Sequence, residues 1–131
     1  MNKRILETLE KARKLISNPE TWTKKTEART INDRAIKYTD SYAYKFCIRG
    51  AIVRAYYEIN TNRKETRNIE KHIRNKIDVN KFTKRKPSEL EYEYFEDYVH
   101  FNDDPKTTHK QILKLLDYSI KLFSKKETNN E

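Results

Sequence analysis

The chain has 131 residues, the length of a single domain, and charged residues make up 37% of it. Leu, Ile, Val and Phe supply only about a fifth of the residues, close to the fraction below which disorder is expected. Nine tyrosines and one tryptophan can bury the apolar area that a small core needs, so we expect a folded domain with an aromatic core.

No apolar run approaches the ~18 residues of a membrane span, and no signal peptide opens the chain. Cys47 is the single cysteine, which excludes an internal disulfide. We therefore expect a cytoplasmic protein that does not contact membranes.

The net charge of +9 is concentrated in residues 1–86, whereas residues 87–131 carry more carboxylates than cations. A basic body is compatible with binding to nucleic acid, which relies on phosphate neutralisation, or to an acidic protein partner. The alternative is a lysine-rich surface that is only solvated.

The first predicted helix covers Asn2–Ser17 and ends at Pro19, which cannot continue a helix. Its apolar residues form one stripe: Ile5, Leu9, Ala12 and Ile16. The segment 20–32 is predicted to be irregular or to hold a short strand or hairpin. Within it, Trp22 either folds back over the core or offers a stacking surface for a base or another ligand.

The second predicted helix covers Asp40–Glu58 and is apolar almost all round, which is typical of a buried central helix. Gly50, the single glycine, is unfavourable inside a helix and predicts the close approach of another element. Arg49 and Arg54 must then reach solvent or meet carboxylates.

A third helix is predicted over Arg63–Ile77, because Ile69, Ile73 and Ile77 recur every four residues. Residues 79–86 are predicted to be a linker, and a further helix over Leu90–Tyr98 is favoured by the carboxylates that follow Pro87. The residues that we predict to contact nucleic acid are cationic: Lys71, Arg74, Lys84, Arg85 and Lys86.

The segment from Tyr98 to Phe101 is predicted to be extended and to end at Pro105, which lacks an amide proton. Thr108 and Gln111 have the spacing of a capping box, so a helix is predicted over Thr108–Phe123. The polar residues Ser124–Glu131 are expected to fray.

One candidate site combines Cys47, Asn102, Asp103 and His109. A neutral imidazole beside a carboxylate can act as a general base, and a thiol within its reach can act as a nucleophile. We therefore consider Cys47, His109 and Asp103 as catalytic candidates, and Trp22, Asn102, Asp103 and His109 as ligand-binding candidates. The structural alternative is a small core cysteine beside ordinary turn and helix-cap residues.

Metal and cofactor sites receive little support from the sequence. Asp103, Asp104, His100 and His109 have oxygen and nitrogen ligands, but their spacing matches no recognised zinc pattern, and we predict no metal site. With one glycine, a phosphate-binding loop and a dinucleotide fingerprint are excluded, and we predict no cofactor.

Several motifs together resemble a family of small bacterial and phage proteins that is catalogued as a domain of unknown function. They are Asn18-Pro19-Glu20-x-Trp22, Phe46-Cys47-x-x-Gly50-Ala51, Phe101-Asn102-Asp103-x-Pro105 and Thr107-Thr108-His109 followed by Ile112, Leu113, Leu115, Leu116 and Asp117. The resemblance implies a helical fold in which the Cys, Asn-Asp and Thr-His elements converge. It implies no activity.

We predict an all-α domain over 1–124, a compact bundle of four to five helices around the buried Cys47 helix, on which the C-terminal helix packs. A short extended or hairpin segment is compatible with this fold, and residues 125–131 form a polar tail. The predicted function is a non-catalytic binding or accessory module for nucleic acid or an acidic protein partner. The alternative is a small enzyme or ligand-binding pocket built from the Cys47–His109 set, and the oligomeric state is left open.

Overall fold

The structure, a computed structural model, describes residues 2–83 and 95–129, with the side chains of 3–83 and 95–125. Helices supply most of it: α1 (Asn2–Leu15), α2 (Ile48–Ile59), α3 (Arg63–Lys76), α4 (Val79–Thr83), α5 (Tyr98–Asp103) and α6 (His109–Asn129). A 3-10 turn (Pro19–Thr21) and three short strands lie between α1 and α2: β1 (Ala28–Arg29), β2 (Ala35–Ile36) and β3 (Lys45–Phe46). The predicted helical character is confirmed, but the all-α class is wrong.

The core is centred on α2, as predicted. Ile52, Ala55 and Tyr56 of this helix are fully buried, and α2 packs against α1, α3 and α5. The predicted stripe of α1 is also fully buried. The C-terminal helix differs from the prediction, because α6 lies mainly against α1 rather than against α2. The isoleucine row of α3 is buried as its four-residue spacing predicted.

The three strands form one antiparallel sheet in the order β2-β1-β3. Ala28 of β1 lies opposite Ile36 on one side and Phe46 on the other. Only β1 lies within 20–32, so the short strand predicted as one option for this segment is present, whereas its hairpin partner β2 lies beyond the predicted range. The start of α2 at Asp40 was wrong, since β3 pairs with β1 and the helix begins only at Ile48. An apolar run of this length suits a buried strand as well as a helix, and periodicity alone does not separate the two.

Three further segments differ from the sequence prediction. Val79–Thr83 is a helix rather than a linker, and Tyr98–Asp103 is a helix rather than an extended segment. Asp97 starts the second of these helices, because its carboxylate accepts hydrogen bonds from two backbone amides of the first turn. α6 continues to Asn129, beyond the predicted end at Phe123.

Part of the predicted helix over 90–98 lies outside the described residues, as do Lys84, Arg85 and Lys86. Within the part that is described, residues 95–97 are not helical. In the described ranges 2–83 and 95–129, no helix is long and apolar enough to cross a membrane.

Gly50 lies in the first turn of α2, where the helix meets the segment before β1. A Cβ atom at this position would stand 1.7 Å from the carbonyl oxygen of Glu27. The same oxygen accepts a hydrogen bond from the backbone N–H of Cys47 at 3.3 Å. The close approach predicted from the single glycine is confirmed, and Gly50 allows the sheet to pack directly on the start of α2.

Candidate functional site

The side chain of Asn102, at the end of α5, is fully buried and joins three parts of the chain. Its Oδ1 accepts hydrogen bonds from Trp22 Nε1 at 2.8 Å and from the backbone N–H of Ile48 at 3.1 Å. Its Nδ2 donates to the carbonyl oxygen of Thr23 at 3.1 Å and to Asp103 Oδ1 at 3.1 Å. Both amide hydrogens and both lone-pair positions of the oxygen are thus occupied by protein groups. The amide fixes α5 to the start of α2 and to the chain around Trp22.

The two aspartates after Asn102 hold the Lys24–Lys25 turn. Asp103 Oδ1 accepts from the backbone N–H of Lys25 at 2.7 Å, and the carbonyl oxygen of Asp104 accepts from Lys24 Nζ at 2.6 Å. Lys25 has a φ of 70°, in the left-handed region that few non-glycine residues adopt. Burial lowers the pKa of Lys24, and the carboxylates of Asp104 and Asp103 oppose that shift.

His109 begins α6 and covers Trp22. The two rings lie 5.8 Å apart between centroids, and His109 Nε2 is 2.6 Å from the carbonyl oxygen of Ile16. Because a carbonyl oxygen only accepts hydrogen bonds, Nε2 carries the proton in this contact. The predicted capping box is confirmed: the backbone N–H of Thr108 donates to Gln111 Oε1, and the N–H of Gln111 donates to Thr108 Oγ1.

Cys47 is the N-cap of α2 rather than a residue inside the helix. Its Sγ accepts a hydrogen bond from the backbone N–H of Gly50 at 3.2 Å. Burial raises the pKa of the thiol to about 12, so it stays protonated at neutral pH and is a poor nucleophile. Its predicted burial is confirmed. Within the described residues, no hydrogen bond joins Cys47 to His109.

The structure therefore brings Trp22, Asn102, Asp103 and His109 into one cluster, and we name this cluster the clasp. Every polar contact given above runs to protein backbone or to another clasp residue, an arrangement that fastens α5 and α6 onto the N-terminal half. In the ranges 2–83 and 95–129, no group of three or more His, Cys, Asp or Glu side chains could hold a metal ion. The catalytic and ligand-binding roles of these residues stay predictions.

The predicted nucleic-acid contacts fall into three situations. Lys71 lies exposed on α3, and its ammonium group has no ion-pair partner in the described part of the chain. Arg74 instead forms ion pairs with the buried Glu70, at 3.1 Å, and with Asp97, at 3.4 Å. Lys84, Arg85 and Lys86 lie in the stretch that the structure does not describe.

A buried charged cluster, which the sequence analysis missed, anchors the inner side of α3. Glu70 is fully buried, and its carboxylate accepts a hydrogen bond from the Tyr98 hydroxyl at 2.5 Å. Arg49 and Arg74 provide its cationic partners, at 3.4 and 3.1 Å. Burial and the adjacent carboxylate raise the pKa of Tyr98 well above its usual value. Of the two alternatives predicted for Arg49 and Arg54, reaching solvent or meeting a carboxylate, the structure shows the second: Arg49 pairs with Glu70, and Arg54 pairs with Glu58.

A surface groove at the outer end of the sheet was also missed. It has a volume of about 780 Å³ and lies between the β1–β2 turn and the loop before β3; we name it the hairpin groove. Its lining residues are Thr30, Ile31, Asn32, Arg34, Ser41, Tyr42, Ala43 and Tyr44. The Asn32-Asp33 pair was the available sequence signal for the turn. The loop before β3, which forms the other wall of the groove, was not predicted because residues 40–44 were assigned to a helix.

A family model matches residues 1–122, which is nearly the whole chain. The chain belongs to a family of unknown function (DUF6197). The resemblance to an uncharacterised domain is thereby confirmed. No curated protein and no solved structure matches the chain.

Membership of DUF6197 brings no activity or ligand with it. For this family member, the candidate surfaces are therefore the clasp, the solvent face of α3 and the hairpin groove. The hydrogen bonds given for the clasp run to the protein itself, whereas the other two surfaces present side chains to solvent.

Proposed function

We propose that this protein is a non-catalytic nucleic-acid-binding module and that the solvent face of α3 contacts the phosphate backbone. The observation that supports the proposal is the composition of that face. At 3.6 residues per turn, five cations share an arc of about 100°. They are Arg63, Lys64, Arg67, Lys71 and Arg74, and we call them the basic face of α3.

No carboxylate of α3 itself lies on this arc; the Glu27 carboxylate reaches it from the segment before β1 and pairs with Arg67. The exposed amides Asn68 and Asn75 lie just beyond the arc and can donate hydrogen bonds to phosphate oxygens. Glu65 lies toward another side of the helix, where it accepts hydrogen bonds from Tyr56 and Asn60, and Glu70 points into the core. The cations of the face that have no ion-pair partner among the described residues, Arg63, Lys64 and Lys71, leave it with a net positive charge, which favours a polyanion.

Three cations of the basic face are available to a ligand, and the other two hold the helix in place. Arg63, Lys64 and Lys71 are exposed and have no ion-pair partner among the residues that the structure describes. Arg67 pairs with Glu27 at 2.7 Å, and Arg74 pairs with Glu70 at 3.1 Å, so two side chains of the face attach the helix to the body of the protein. Lys64 and Lys71 are seven residues apart, or about 10 Å along the axis, and can meet separate phosphates.

The exposed side of α6 provides a comparison within the same chain. It also carries lysines, among them Lys114 and Lys121, but Asp117 lies between them and bonds Arg13 at 2.5 Å. Equal numbers of lysines can therefore be neutralised on α3 and on α6 with the same change in net charge. This makes α6 a matched control for the location of binding.

The test is titration of fluorescent single-stranded and duplex oligonucleotides at about 50 and about 200 mM salt. We expect affinity to fall steeply with salt, because binding releases counterions. Lys64→Gln/Lys71→Gln should weaken binding and reduce the salt slope by about 0.9 per lost duplex phosphate contact. Lys114→Gln/Lys121→Gln should have a much smaller effect.

Equal losses in the two double variants would show attraction by net charge alone and would contradict a site on α3. Absence of binding at the lower salt concentration would reject nucleic acid as the ligand. An acidic protein partner would then be the remaining form of a binding function for the basic face.

A further inference from the structure

We infer that the hairpin groove binds unpaired bases of a single strand, with the ring of Tyr42 as the stacking surface. This inference rests on the proposed function and deepens it, because it specifies single-stranded nucleic acid as the preferred ligand. The basic face of α3 would hold the backbone of the same strand.

Two of the large apolar side chains at the groove are unusually exposed. Tyr42 is 77% exposed and Ile31 is 65% exposed. Among the described residues, the Tyr42 ring makes no contact with another aromatic ring or with a cation. A ring this exposed can stack on a flat ligand, and every nucleobase presents a flat face.

The loop that carries Tyr42 is held in place by four hydrogen bonds. Its backbone N–H donates to Asp40 Oδ1 at 2.8 Å, and the N–H of Ala43 donates to the carbonyl oxygen of Asp40 at 3.1 Å. Arg54 Nη1 donates to the carbonyl oxygens of Tyr38 and Asp40 at 2.9 and 2.8 Å. An exposed ring on a fixed loop loses little conformational freedom when it stacks, so the surface is preorganised for binding.

The β1–β2 turn, which forms the opposite wall of the groove, is fixed as well. The N–H of Thr30 donates to the carbonyl oxygen of Arg34 at 2.8 Å across the β1–β2 turn, and Asp33 adopts a φ of 68° in it. Lys45 Nζ bonds the Asp33 carboxylate at 2.5 Å, away from the groove lining. The groove thus has two walls whose positions are set by hydrogen bonds and ion pairs.

The chemistry of the lining fits a single strand. Arg34 is the one charged lining residue; it is exposed and has no ion-pair partner within the described part of the chain. Thr30, Asn32 and Ser41 supply hydroxyl and amide groups that can bond base edges or sugar. The volume of about 780 Å³ suffices for a ligand of nucleotide size. A cationic lining without a carboxylate complements a phosphate backbone.

The groove and the basic face of α3 are connected through the residues that flank β1 and β2. The Arg67 guanidinium lies 5.0 Å from the centre of the Tyr38 ring and bonds Glu27, so α3 rests on the residues that flank β1 and β2. From Glu27 to Ile31 the chain spans about 13 Å at ~3.3 Å per residue. This is within reach of a strand of about ten nucleotides, inside the usual range of single-strand sites.

Stacking on Tyr42 requires a base that is not already stacked in a duplex. We therefore expect the wild-type protein to prefer a ~10-nucleotide oligothymidine to a duplex of matched length at equal salt. Tyr42→Ala should weaken binding of the single strand by about 10- to 100-fold and leave duplex binding unchanged. Tyr42→Phe, which keeps the ring, should retain most of the affinity.

The readouts separate this inference from the proposed function. If Lys64→Gln/Lys71→Gln weakens binding but Tyr42→Ala binds the single strand like wild type, the groove inference is overturned and the function on α3 stands. If only Tyr42→Ala weakens binding, the groove stands and the role of α3 fails. Binding of neither nucleic acid overturns both. Circular dichroism of each variant verifies that it folds. Sedimentation of wild type and of Tyr42→Ala shows whether Tyr42 mediates self-association. Self-association through Tyr42 would also overturn the inference.

Discussion

The indole N–H of Trp22 donates to the side-chain oxygen of Asn102 at 2.8 Å, across 80 residues of sequence. The same oxygen accepts the backbone N–H of Ile48, so one buried amide connects the segment after α1, the start of α2 and the end of α5. A polar group that is buried with all its bonds made rigidifies a fold, and removing it leaves several partners unpaired. The clasp therefore provides the clearest stability test in the molecule.

Asn102→Ala should lower the free energy of unfolding by about 3 kcal/mol. The substitution leaves the Trp22 and Ile48 donors and the Thr23 carbonyl without their partner inside the protein, and each unsatisfied group costs about 1–3 kcal/mol. Urea denaturation monitored by Trp22 fluorescence measures the change. Asn75→Ala, on the exposed side of α3, is the control and should stay within about 0.5 kcal/mol of wild type. Equal effects at the two positions would contradict a structural role for the clasp.

Gly50→Ala should destabilise the protein by more than about 3 kcal/mol, although alanine favours helices by about 1 kcal/mol over glycine. The new Cβ would stand 1.7 Å from the Glu27 carbonyl oxygen, so the backbone of the sheet must move away from α2. Thermal and urea unfolding check the effect. Asn68→Ala, in the exposed middle of α3, should be neutral or slightly stabilising. A Gly50→Ala protein as stable as wild type would mean that β1 does not pack on α2 as described.

The unfolding free energy should fall above about pH 9 because of Cys47. In the unfolded chain the thiol titrates near pH 9.0, whereas burial raises its pKa in the folded protein to about 12. A raised pKa gives stability that is fully present below pH 9 and is lost as the pH rises toward 12, since only the unfolded state releases the proton. The slope due to this group is about 1.4 kcal/mol per pH unit.

Cys47→Ser isolates that contribution. Serine does not titrate in this range, and its hydroxyl can still accept the Gly50 N–H as an N-cap. Urea denaturation at pH 7, 9 and 10 should show a smaller fall for the variant than for wild type. Parallel curves would indicate an accessible thiol, and this outcome would revive Cys47 as a reactive group.

Glu70→Ala should cost about 1–3 kcal/mol, because the partly exposed Arg49 and Arg74 would lose their shared buried carboxylate and keep only Glu27 and Asp97 as ion-pair partners. The Tyr98 hydroxyl would also lose its acceptor. Glu58→Ala is the matched control, since Glu58 forms ion pairs with Arg54 and Lys11 near the surface and such pairs contribute less than about 1 kcal/mol. Chemical denaturation of both variants tests the difference, and similar losses would contradict the burial of the Glu70 cluster.

Local sequence chemistry determined the parts of the fold that depend on neighbours within a few residues. The stripe of Ile5, Leu9, Ala12 and Ile16 specified α1 and its buried side, because a 3.6-residue repeat places these side chains on one face. The Thr108–Gln111 box specified the start of α6. The single glycine indicated a close packing contact, and the residues of the clasp were recognised as a set. Their roles as ligands or catalysts remain predictions.

Only the tertiary structure decided what depends on distant partners. Residues 40–47 are apolar enough for a helix, but Arg29 of β1 accepts the backbone N–H of Tyr44 and Ala28 pairs with Phe46, and this pairing delays α2 until Ile48. The Asn102 contacts with Trp22 and Ile48 span 80 and 54 positions, beyond the reach of any local pattern. Tyr42 is exposed for the same reason. A helix over residues 40–58 would place this side chain in the core, but the pairing of β3 with β1 leaves Tyr42 in the loop before β3. There it faces solvent and lines the hairpin groove.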